Sequence, residues 1–227
     1  MKKIIHIGFP KCASTTLQEN LFNLSDNILY IGVTLLQNGQ YENLSLKLIN
    51  SIKNRDEKKI ENCINEINLI HSRNPTKILI FSNESMIYCL DSYIFNKYFS
   101  NYELIIFIRS PVSFITSKYK QYLRGFGTKF SELIDINQYI ELLQKEKLNE
   151  YILFLTLKKN ILQKKIHIFE YEDILKKNQR IYDKLSLIFN IDKIIISNTF
   201  DKFDSNPGLS YLDFLYFKMQ TIPILGN

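Results

Sequence analysis

The chain has 227 residues, 45% of them hydrophobic, enough for one sizeable core and short for two, so residues 1–227 are expected to form a single domain. Its 29 Lys and Arg against 23 Asp and Glu leave a net charge of +6, which favours anionic partners without naming one. Cys12, Cys63 and Cys89 lack metal-ligand spacing and are too few for a disulfide scaffold, and the apolar run in MKKIIHIGFP is too short for a signal or a spanning segment; the expectation is a cytoplasmic protein with no transmembrane segment and no metal.

In chain order, Lys2 to Gly8 is a short Ile-rich run closed by Gly-Phe-Pro, the pattern of a buried strand. From Ser14 the apolar residues Leu17, Leu21, Phe22 and Leu24 follow helical spacing, with Ser and Thr at the head. Residues 41–73 continue at helical spacing until Asn74-Pro75. A second strand is predicted at Lys77 to Phe81, a third at Glu103 to Ile108 before Arg109-Ser110-Pro111, then a helix to about Arg124, and a fourth strand at Lys165 to Phe169. Near-continuous apolar strands separated by helices predict a P-loop-like, three-layer α/β/α domain around a central parallel sheet.

The loop Gly8-Phe9-Pro10-Lys11-Cys12-Ala13-Ser14-Thr15-Thr16 lies between the first strand and the first helix. Backbone N–H groups and the helix dipole converge on an anion there, three hydroxyls add donors, and Lys11 adds a charge, so the loop should bind phosphate or sulfate. It fails the pattern of a nucleoside-triphosphate P-loop. Aligned on Gly8, Ala13 stands at the second Gly and Ser14 at the Lys, and no strand ends in the Asp that would help hold Mg²⁺. An ordinary capped helix start is the bland alternative.

The run HIGFPKCASTTLQ, His6 to Gln18, resembles the 5′-phosphosulfate loop of sulfotransferases that use 3′-phosphoadenosine 5′-phosphosulfate (PAPS). Ala13 in place of the usual Gly is a departure that carbohydrate-acting branches tolerate; with Glu84 in place of a clear catalytic histidine, the resemblance is to bacterial, carbohydrate-type members. It implies that Lys11 contacts the phosphosulfate and its bridging oxygen, and that Cys12, Ala13, Ser14, Thr15 and Thr16 bind it through backbone amides and hydroxyls. Arg109, Pro111, Ser117 and Tyr119, spaced R-x-P-x-x-x-x-x-S-x-Y, are similar to the family's 3′-phosphate motif, which implies that Arg109 and Ser117 hold the group that distinguishes PAPS from ATP. An internal carboxylate is the alternative partner for Arg109, and Phe114 stands where a second arginine is common. Phe169 to Leu175 and Asn206 to Ser210 extend the resemblance more loosely, with Glu172 in a structural role and the loop containing Lys202 closing over the nucleotide.

The resemblance implies a sulfuryl transfer in which Lys11 stabilises charge on the departing phosphate oxygen. Glu84, just beyond the second strand in KILIFSNES, is the favoured catalytic base, because ligands of open α/β sheets bind outside the carboxyl ends of the strands; capping of the next helix is its bland alternative. His6, His71 and His167 are the rival bases, and none occupies a clearly matching position. The acceptor expected is a hydroxyl or amine of a glycan, glycolipid or small molecule. The competing functions are a P-loop kinase of a nucleotide or metabolite and a basic nucleic-acid-binding module; the positive residues are not clustered as the latter requires.

Overall fold

The Ile-rich runs become strands because both faces of a parallel sheet are covered by helices, leaving no polar alternation to keep. The computed structural model describes residues 2–8, 12, 14–23, 25–32, 42–125, 134–145, 155, 159 and 166–201. Two compact units emerge, one from Met1–Arg109 with Glu150–Phe203, the other from Ser110–Asn149 with Asp204–Asn227.

The first unit opens with β1 (Lys3–Gly8), followed by α1 (Ser14–Thr16), which widens into a π-helical turn over Leu17–Phe22. That turn closes with Asn23 N–H donating to the Gln18 carbonyl, five residues back. Then come β2 (Ile28–Gly32), α2 (Glu42–Lys53), α3 (Glu57–Ser72), β3 (Ile78–Ser82), the short α4 (Met86–Cys89) and α5 (Ser92–Tyr98), and β4 (Glu103–Ile108). After the second unit's α6 (Pro111–Gly125) and α7 (Ile136–Lys145), the first unit resumes with β5 (Ile166–Glu170), α8 (Tyr171–Leu175), α9 (Gln179–Phe189) and α10 (Lys193–Asp201).

The sheet is parallel and five-stranded, ordered β2-β3-β1-β4-β5, so the three-layer α/β architecture expected from the strand pattern stands. β1 lies at its centre, flanked by β3 and β4, which is why Ile4, Ile5 and Ile7 are fully buried. Each such side chain contributes roughly 1.5–3 kcal/mol of apolar burial. The four expected strands are β1, β3, β4 and β5; the edge strand β2 was not expected. The helical run 41–73 is two helices. Arg55 takes a left-handed φ of 55° between them, and Asp56 caps α3 by accepting from Lys59 N–H at 3.1 Å.

In the second unit, Ser110 opens α6 by accepting from Ser113 N–H, with Pro111 in the first turn where its missing N–H costs nothing. Tyr119, Leu123 and Tyr139 form the core that joins α6 to α7, and the Tyr119 hydroxyl donates to the Ile134 carbonyl at 2.9 Å.

Candidate active site

Strand order decides where a ligand can enter the first unit. The connection after β1 runs outward past β3 to β2, while the connection after β3 runs back past β1 to β4. Two neighbouring strands whose connections leave in opposite directions open a crevice between their carboxyl ends. At that crevice β1 delivers Gly8 and the anion loop, and β3 delivers Glu84. β4, on the other side of β1, delivers Arg109.

The first contact across the crevice joins the loop helix to β3. Ser14, only 2% exposed, donates its hydroxyl to Glu84 Oε1. Gly8 lies against both, and a Cβ there would stand 3.1 Å from Ser14 Cβ and 3.6 Å from Glu84 Cγ. Glycine is therefore favoured by close approach, since an added Cβ would need Ser14 to give by a few tenths of an ångström and the backbone φ is not in the positive region. The carboxylate of Glu84 is thus held on the first residue of α1.

Arg109 leaves the end of β4 with its guanidinium carbon 4.7 Å from the centre of the Tyr171 ring, at the start of α8. Burial raises the Tyr171 phenol, and Arg109 pulls it the other way. The same guanidinium is felt within the loop. Burial pushes the Cys12 thiol up to about 12, Arg109 opposes that rise, and the Glu172 and Glu84 carboxylates add to it. Cys12, Glu84, Arg109, Tyr171 and Glu172 therefore share one electrostatic neighbourhood around the loop. Cys12 is a buried packing residue there, with its thiol kept protonated.

Of the expected site residues, Cys12, Ser14, Thr15, Thr16, Glu84 and Arg109 belong to this end of the first unit. Lys11 and Ala13 lie outside the described residues, as do Lys202 and the Asn206–Ser210 motif. Ser117 is half-buried on α6 in the second unit. The three histidines have other surroundings. His6 is fully buried in β1, and desolvation lowers it to about 3. His71 Nε2 is 3.0 Å from the Lys77 carbonyl, and His167 Nε2 pairs with Glu103 at 3.0 Å near the amino end of the sheet.

Sequence reasoning missed the aromatic seat of Arg109. Tyr171 directly follows β5 in the Phe-Glu-Tyr-Glu-Asp run, and its position at a second strand's carboxyl end was the available signal. It also missed a buried layer under the crevice. Ser82 Oγ is 2.7 Å from His6 Nδ1 and accepts from Gln18 Nε2 at 2.9 Å.

No protein-family profile matches the chain, and no curated protein matches it in sequence. Solved structures do. A sulfotransferase from Alicyclobacillus acidocaldarius superposes with a TM-score of 0.55 at 8% identity, covering 85% of this chain and 82% of its own. The chain has the sulfotransferase fold. A second structure with that fold, the mouse sulfotransferase SULT7A1 complexed with PAP, has a TM-score of 0.55 at 15% identity, covering 90% of this chain and 66% of its own. No helix among the described residues is long and apolar enough to cross a membrane.

Proposed function

We propose that the protein is a PAPS-dependent sulfotransferase that moves a sulfuryl group to a hydroxyl or amine of a glycan, glycolipid or small molecule, with residues 1–227 working as one cytoplasmic domain. The observation that carries this reading is the meeting of the Ser14 loop helix, Glu84 and the Arg109 neighbourhood at the carboxyl ends of β1, β3 and β4. A half-buried guanidinium in the neighbourhood of a helix start suits an anionic ligand. That a neighbour of the same fold was crystallised with PAP supports the donor class.

On this reading the loop residues Lys11 to Thr16 bind the phosphosulfate, while Arg109 and Ser117 hold the 3′-phosphate. Glu84 accepts the acceptor's proton as its oxygen or nitrogen bonds to sulfur. The bond from sulfur to the phosphate oxygen breaks, the electron pair stays on that oxygen, and Lys11 offsets the new charge. The hydrogen bond from Ser14 keeps the Glu84 carboxylate beside the loop, which is the arrangement a base needs if it is to meet the acceptor in line with the leaving oxygen.

Thermal shift with adenosine 3′,5′-bisphosphate, AMP and ATP with Mg²⁺ tests the reading. A ligand that binds only the native state raises stability by RT ln(1 + [L]/Kd), so saturation at about 100 Kd adds roughly 2.7 kcal/mol. The bisphosphate should stabilise strongly and the other two weakly. Preferential stabilisation by ATP with Mg²⁺ would point to the kinase instead, and no response to any nucleotide would remove the donor assignment.

A further inference from the structure

The crevice residues stand on a second, buried layer built from the same three elements. His6 lies two residues before Gly8 on β1, Ser82 two residues before Glu84 on β3, and Gln18 four residues, about one helical turn, after Ser14. His6 and Ser82 are register partners across the two strands, both fully buried, and Gln18 is 9% exposed. Gln18 Nε2 donates to Ser82 Oγ, and Ser82 Oγ lies 2.7 Å from His6 Nδ1, the donor between those two following the imidazole tautomer. Desolvation keeps the imidazole neutral, and its Nε2 is buried with no hydrogen-bond partner among the described residues. Phe22 and Phe107 close the ring in with T-shaped contacts at 5.6 and 5.5 Å.

We infer that His6, Ser82 and Gln18 form a positioning network that sets Glu84 against the anion loop, an inference that rests on Glu84 being the catalytic base. Hydrogen bonding among three core polar groups would by itself need no particular place in the fold. This trio ties together, one step below the crevice, the three elements that carry Gly8, Ser14 and Glu84, and backbone bonding adds Asn83 N–H to the His6 carbonyl between the two layers. Ser82 Oγ is shared by both contacts, so its removal takes away the buried side-chain link from β3 to β1 and to the loop helix while the backbone ladder between β3 and β1 remains. Glu84, two residues further on, is then free to shift by the fraction of an ångström that general-base geometry does not tolerate. None of the three network residues touches the substrate in this scheme.

A double-mutant cycle on turnover, read beside bisphosphate affinity, tests the inference. Sulfuryl transfer from PAPS is followed with the best acceptor from a panel of monosaccharides, glycolipids and phenols, in the full chain. Ser82→Ala should lower kcat on the order of tenfold or more, with the Kd for adenosine 3′,5′-bisphosphate within about threefold of the parent. In a Glu84→Gln background the same change should cost less than about twofold, because the group it positions no longer acts as a base. Gln18→Met, which keeps the side-chain volume and removes the donor, should give a smaller loss with the same non-additivity, and it carries the test if Ser82→Ala does not fold. Equal losses in both backgrounds, or a fall in bisphosphate affinity as large as the fall in kcat, would overturn the network while leaving Glu84 in place. Undiminished turnover in Glu84→Gln itself would remove the base assignment, and the network with it.

Discussion

Ser82→Ala has a stability consequence that is independent of any reading of function. The hydroxyl is fully buried and makes two hydrogen bonds, at 2.7 Å to His6 Nδ1 and at 2.9 Å from Gln18 Nε2. Its loss strips a partner from each. Gln18 retains some solvent contact and can turn toward it, whereas His6 has none and its Nδ1 is left unsatisfied. An intramolecular hydrogen bond is worth about 1 kcal/mol net, and a buried polar group left without a partner costs about 1–3 kcal/mol. The two effects sum to about 2–4 kcal/mol. For a chain of 227 residues each kcal/mol moves Tm by roughly 2–4 °C, so the middle of that range lowers Tm by roughly 6–12 °C. Urea unfolding at pH 7, with the slope m checked for constancy, measures the quantity directly. Gln18→Met loses only one of the two bonds and should cost about 1 kcal/mol. A loss below about 0.5 kcal/mol for Ser82→Ala would show that the buried trio contributes nothing net, and would refute the energetic basis of the network.

Two further outcomes follow from the same geometry. His6 has its folded pKa lowered from 6.5 to about 3 by burial, so below pH 6.5 the unfolded chain takes up a proton that the folded chain refuses. Its contribution to stability is complete above pH 6.5 and falls by about 1 kcal/mol per pH unit as the pH drops toward 3. Unfolding free energies of parent and His6→Gln between pH 7 and pH 4.5 should converge on that slope; parallel curves would show that His6 is not the titrating group. Arg109→Lys removes the planar fork and its stacking on Tyr171, and should weaken adenosine 3′,5′-bisphosphate binding by tenfold or more while changing AMP binding less than about twofold. Calorimetric titration with both nucleotides checks this, and equal losses would place Arg109 away from the 3′-phosphate.

Much of this was legible in the chain because the signals are local. Four of the strands announce themselves as Ile-rich runs, β1, β3 and β4 mostly buried and β5 only at Phe169, and the hydroxyls and lysine of the first loop stand where a strand turns into a helix. Arg109 marks a strand end because a charge in that position is unusual. β2 escaped notice because Ile28–Gly32 is only five residues long and follows a short polar stretch, Ser25 to Asn27, that ends no helix pattern clearly. A Cβ at Gly32, at its end, would meet the Tyr30 side chain of the same strand and come within 2.6 Å of the Ser82 carbonyl oxygen on β3. The break between α2 and α3 did have a local sign, Asp56 three residues before Lys59, but the helical spacing runs through it.

The alternation of strand and helix follows from side-chain periodicity between chain neighbours, which any reader of the residues can follow. Strand order follows from which apolar faces cover one another after the chain has folded back, and no local pattern carries it. The Ser14–Glu84 contact spans 70 residues and the His6–Ser82 contact 76. Both exist because β3 inserts beside β1 with His6 opposite Ser82, a register set by burial across the whole sheet.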